Sequence, residues 1–77
     1  MKLDSIDWPA LTESQARRLI GPANAREQAL ARVYDGLANE DESAKAAWLR
    51  AFALWENLRV FALSGVKVAD PFTMYNE

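Results

Sequence analysis

Apolar residues recur every three or four positions near the end of the chain, which is the spacing of an α-helix that packs against a neighbour. This pattern predicts a long helix over residues 41–64. The acidic residues at 40–42 favour the positive end of a helix dipole, and Asn39 with Glu42 forms a capping pair. Gly65 follows the last apolar position and predicts a left-handed residue that ends the helix.

Two shorter helices are predicted upstream of this long helix. Thr12 and Gln15 have the spacing of a capping box, which predicts a helix over residues 12–20. The Gly-Pro pair at 21–22 predicts a break, because proline disfavours the α conformation in the residue before it and is well suited to a helix's first position. An apolar stripe then predicts a second helix over residues 22–37.

These elements predict an all-α fold in which the long third helix is the spine of one domain spanning residues 1–77. A chain of 77 residues with 51% hydrophobic and 26% charged residues has the size and balance of a single globular domain. An N-terminal arm carrying Trp8 and a C-terminal tail carrying Phe72 and Tyr75 are expected to be ordered and to fold back on the helices.

The long helix has more apolar surface than one buried face requires. Its predicted core face comprises Ala44, Ala47, Trp48, Ala51, Leu54, Trp55, Leu58, Phe61 and Ala62. A separate row of apolar residues, here called the second stripe, comprises Leu49, Phe52, Val60 and Leu63. Either the arm and tail cover the second stripe within one molecule, or another protein binds to it. Exposed apolar patches usually mark an interaction site, which favours partner binding.

The residue types argue against catalysis and against a metal or cofactor. The chain has no cysteine and no histidine, so thiolate and imidazole ligands and the commonest general base are missing. The three glycines do not form a phosphate-binding loop. We therefore expect no enzyme activity, no cofactor and no metal site. No apolar run approaches the 18 residues of a membrane span, and we expect a cytoplasmic protein.

Nucleic-acid binding is the alternative function. Arg17, Arg18, Arg26 and Arg32 lie in a window whose only acidic residue is Glu27, which gives this window a net charge of +3. A basic pair of helices could contact phosphates. However, the whole chain has a net charge of −2, and the spacing of Ala16 and Gly21 fits a helix-turn-helix motif poorly.

The favoured function is therefore non-enzymatic protein binding through the second stripe. The domain would act as an adaptor or as a stoichiometric inhibitor of a larger protein machine, and it could also pair with itself as a homodimer. Small helical proteins without catalytic groups are common among those encoded by viruses and mobile elements, including phages, but this argument is only one of association. Nucleic acid and membranes are not expected as partners.

Overall fold

Two long helices form most of the structure, a computed structural model that describes residues 3–37 and 40–73. Helix α1 spans Glu13–Gly36 and helix α2 spans Glu42–Ser64. Because the connection between them is short, the helices pack side by side in opposite directions as a helical hairpin. The arm that precedes α1 contains two short 3₁₀ turns, Leu3–Ser5 and Trp8–Ala10.

The caps explain where the two helices begin and where α2 ends. The Thr12 hydroxyl accepts a hydrogen bond from the Gln15 backbone at 3.1 Å, and the Gln15 side chain accepts one from the Thr12 backbone at 3.0 Å, so the capping box is present. Helix α2 is capped by Asp41, whose Oδ1 accepts from the Ala44 backbone at 2.9 Å. Gly65 adopts φ 76° after its last turn. Asp41 therefore takes the capping position that was expected of Asn39, which itself lies outside the described residues.

The prediction of three helices is wrong, because α1 continues through the Gly-Pro pair at 21–22. Gly21 has no Cβ, so the usual clash between a proline ring and the preceding residue is reduced to the contact with the Gly21 backbone. Both residues are exposed, and water can therefore solvate the Arg18 carbonyl that loses its helical partner at Pro22. Leu19 and Ala23 on either side are buried against α2, which favours an uninterrupted helix.

The core lies between the hairpin and the arm. Its buried residues are Trp8, Leu11, Ala16, Leu19, Ala23, Leu54, Leu58, Phe61 and Ala62. The Trp8 ring packs edge-on against Phe61 with 5.9 Å between ring centres, and its Nε1 donates to the Val68 carbonyl at 2.6 Å. This tryptophan therefore joins the arm both to α2 and to the tail.

Polar contacts hold the described part of the tail against the arm and against α2. The Lys67 ammonium donates to the Leu11 carbonyl at 2.8 Å and to the Pro9 carbonyl at 3.2 Å. Further along, the Asn57 side chain of α2 donates to the backbone of Pro71 and Thr73. The expected contribution of Tyr75 lies outside the described residues. Within residues 3–37 and 40–73, neither helix combines the length and the apolar character that crossing a membrane requires.

Candidate protein-interaction surface

The second stripe lies on the face of α2 that points away from α1. At about 100° per residue, the residues of α2 that pack into the core are centred roughly opposite to the second stripe. Leu63 is 73% exposed and Leu49 is 38% exposed, whereas Phe52 and Val60 are half-buried. The fold thus leaves apolar side chains at both ends of this row open to solvent.

The arm and the tail contact other faces of α2. The Arg50 guanidinium lies over the Phe72 ring, 4.4 Å from the centre of that ring. The tail backbone also accepts hydrogen bonds from Asn57. Arg50 and Asn57 lie about 100° or more around the helix from the middle of the second stripe. The contacts of Trp8 fall on Phe61, which belongs to the core. These contacts leave Leu63 largely exposed and Leu49 partly exposed.

A row of aromatic rings flanks the second stripe on the side nearer α1. Tyr34 stacks on Trp48 at 5.8 Å between ring centres, Phe52 meets Trp48 edge-on at 6.3 Å, and Phe52 meets Trp55 at 5.6 Å. Trp48 also donates from Nε1 to Oε2 of Glu27 at 3.3 Å. Phe52 belongs to both rows, so the second stripe and the aromatic row form one continuous surface.

The placement of Trp48 and Trp55 corrects the expected core face. Both rings were expected in the centre of the core, yet both are only half-buried. Trp55 packs against the edge of the core cluster, and Trp48 rests on Tyr34 instead. The core centre is rotated toward Leu58, which is fully buried, because α1 packs on that side of α2.

An ion pair lies in the middle of the second stripe. Arg59 donates from Nη2 to Oε1 of Glu56, and its guanidinium also lies 5.7 Å from the centre of the Trp55 ring. The Arg59 side chain is 43% exposed and the Glu56 side chain is 28% exposed. Arg59 Nε is shielded from solvent and has no hydrogen-bond acceptor among the described residues. The surface therefore combines apolar ends with a charged centre.

The four arginines of the alternative site do not form one open face. Arg17, Arg18 and Arg32 are exposed, whereas Arg26 is half-buried. Nine residues separate Arg17 from Arg26, which places them on opposite sides of α1. Arg17 and Arg32 are in turn about 22 Å apart along the helix axis. The helix thus disperses a charge cluster that is compact in the sequence.

A groove of about 500 Å³ lies on the side of the hairpin that the arm and tail approach. Its lining includes the following residues: Leu3, Arg26, Leu30, Arg50, Leu54 and Phe72. Sequence reasoning missed this groove, because it forms only when the arm and tail fold back on the hairpin. No group of three or more carboxylates among the described residues is arranged to hold a metal ion.

Comparison with protein-family models, curated proteins and solved structures gives no match. The function must therefore be inferred from the surfaces of the chain itself.

Proposed function

We propose that this chain is a non-enzymatic protein-interaction domain that binds another protein through the second stripe. The observation that carries the proposal is the exposure of Leu49 and Leu63 at the two ends of an apolar row that the arm and tail leave open. The domain would act as an adaptor or as a stoichiometric inhibitor of a larger protein machine. The small helical inhibitors that phages and other mobile elements encode are an associational precedent.

The energetics of burial support this assignment. Leu63 is 73% exposed, and covering a leucine side chain is worth about 1.5–3 kcal/mol. The flanking aromatic row and Arg59 add residue types that are enriched where proteins bind one another. A partner that covers the second stripe would therefore gain both apolar burial and contacts with rigid aromatic rings.

The experiment compares Leu63→Glu with the matched control Val33→Glu. Both residues are exposed and apolar, but Val33, which is 53% exposed, lies on α1 away from the second stripe. The tagged protein would be used to capture partners from a lysate of the cells that express it, with nuclease treatment throughout. We expect Leu63→Glu to lose the partner, and Val33→Glu to retain it. Equal capture by both variants would contradict the proposal.

Phe52→Glu is the companion variant within the second stripe. We expect it to remain folded and to lose the partner, because Phe52 is half-buried on the outer side of α2. Its edge-on contacts with Trp48 and Trp55 make folding the necessary check, which circular dichroism provides. If Phe52→Glu unfolds outright, this residue belongs to the monomer core instead of the binding surface.

A further inference from the structure

The four residues of the second stripe are spaced symmetrically along α2 about Glu56. Leu49 and Leu63 each lie seven residues from Glu56, and Phe52 and Val60 each lie four residues from it. With Glu56 included, successive residues of the row are three, four, four and three positions apart, which averages the 3.5-residue spacing of a helix–helix seam. A row with this spacing presents a similar pattern of side chains when the helix is turned end for end.

We propose that the partner of the second stripe is a second copy of this chain, bound antiparallel about a two-fold axis at Glu56. This inference rests on the protein-binding function proposed above and specifies its partner. In such a pair Leu49 faces the partner's Leu63, and Phe52 faces the partner's Val60. Each apolar residue thus meets another apolar residue, and every contact occurs twice, as the two-fold symmetry of an isologous interface requires. The large phenyl ring also faces a smaller side chain, which favours interdigitation.

The charges in the centre complement themselves under the same symmetry. Two copies of Glu56 would meet at the axis, which alone would be unfavourable. Arg59 lies one turn from the axis, so each guanidinium is placed near the partner's Glu56. Arg59 already binds Glu56 of its own chain, and its side chain keeps 43% exposure, so the rest of its guanidinium can also reach the partner's Glu56. Two arginines and two glutamates would therefore alternate across the axis.

The size of the seam predicts a reversible dimer. Residues 49–63 span about 21 Å along the helix axis. Two helices in contact over this length bury less surface than a standard interface, which buries about 800 Å² on each partner. We therefore expect the monomer and the dimer to exchange with concentration, which sedimentation velocity over a wide range of protein concentrations would show.

Cysteine crosslinking tests the register, because the natural chain contains no cysteine. Glu56→Cys should crosslink to itself across the two-fold axis. Leu49→Cys and Leu63→Cys should not self-crosslink, because the two copies of each residue lie about 21 Å apart, whereas a disulfide requires Cα atoms within about 7 Å. An equimolar mixture of these two variants should crosslink. Val33→Cys on α1 provides the level that random collision produces.

The possible outcomes separate this inference from the function on which it rests. Self-crosslinking of Leu49→Cys and of Leu63→Cys would indicate parallel pairing and overturn the antiparallel arrangement. A monomer at every concentration, with no crosslink above the Val33→Cys level, would overturn self-association. The capture experiment would still decide protein binding in that case, because Leu63→Glu is expected to disrupt binding to any partner of the second stripe.

Discussion

Asn57 is the buried polar residue that connects α2 to the tail. The residue is only 3% exposed, and its Nδ2 donates to the carbonyl oxygen of Pro71 at 2.7 Å and of Thr73 at 3.1 Å. A buried amide is costly unless it is hydrogen-bonded, and this one satisfies two backbone acceptors. The residue therefore determines where the tail crosses the helix.

Replacing this amide should destabilise the protein in a defined order. Asn57→Ala removes both donors and should lower the free energy of unfolding by about 1–3 kcal/mol. Asn57→Asp should lower it further, because an ionised carboxylate cannot donate and would face the carbonyl oxygens of Pro71 and Thr73. Urea unfolding at neutral pH, followed by circular dichroism, would measure both variants. If Asn57→Asp is as stable as the natural protein, these hydrogen bonds do not hold the tail.

Trp48 and Asn57 show how far periodicity predicts individual positions. Periodicity identified an excess of apolar surface on α2, and the structure has exposed apolar residues there. It could not indicate which sector faces α1, so Trp48 was expected in the core and lies half-buried on Tyr34. It also gave no reason to bury Asn57, since the need for this amide arises from tail carbonyls that are distant in sequence.

The Gly-Pro pair in α1 carries an energetic cost that its surroundings outweigh. Pro22 cannot donate to the Arg18 carbonyl, and a proline within a helix costs about 3 kcal/mol relative to alanine. Gly21 adds about 1 kcal/mol of unfavourable helix propensity. The buried residues Leu19 and Ala23 on either side hold the helix together. Local signals therefore predicted a break that tertiary packing overrides.

A double-mutant cycle should reveal the coupling between Gly21 and Pro22. Pro22→Ala restores a helical hydrogen bond and should stabilise the protein by about 1–3 kcal/mol. Gly21→Ala should then add up to about 1 kcal/mol, because its Cβ would meet no atom within 4 Å apart from its chain neighbours and the nearby backbone of α1 itself. With Pro22 present, the same Cβ would clash with the proline ring and should give no gain. Equal effects of Gly21→Ala in both backgrounds, measured by urea unfolding, would contradict this coupling.

The ends of the helices were more predictable than their continuity. The start of α1 depends on hydrogen bonds between Thr12 and Gln15, and the end of α2 depends on the backbone angle of Gly65. Because these effects involve only neighbouring residues, both can be predicted from the local sequence. The continuity of α1 depends on its packing against α2, which is distant in the chain. The groove lined by Leu3 and Phe72 depends on both chain ends and carries no local signal.

At the scale of the whole molecule, charge is segregated along the chain but is not concentrated on one face. Arg17, Arg18 and Arg32 are exposed at different points along α1. Arg26 lies on the side of α1 that lines the groove. The exposed acidic residues at 40–42 lie at the N-terminal end of α2, where Asp41 is the cap and Glu42 is the first helical residue. With a net charge of −2, this arrangement provides few positions where several arginines could contact adjacent phosphates at once.

We therefore expect no binding to nucleic acid at micromolar protein concentrations. Fluorescence anisotropy with generic duplex and single-stranded oligonucleotides at about 50 mM and 200 mM salt would test this, since contacts with many phosphates lose about 10³-fold or more in affinity over that range. Binding through the second stripe should instead depend only weakly on salt, because apolar burial dominates it. Salt-sensitive binding that disappears in the Arg17→Glu, Arg18→Glu double variant would favour the nucleic-acid alternative, since both side chains are exposed and their replacement should leave the core intact.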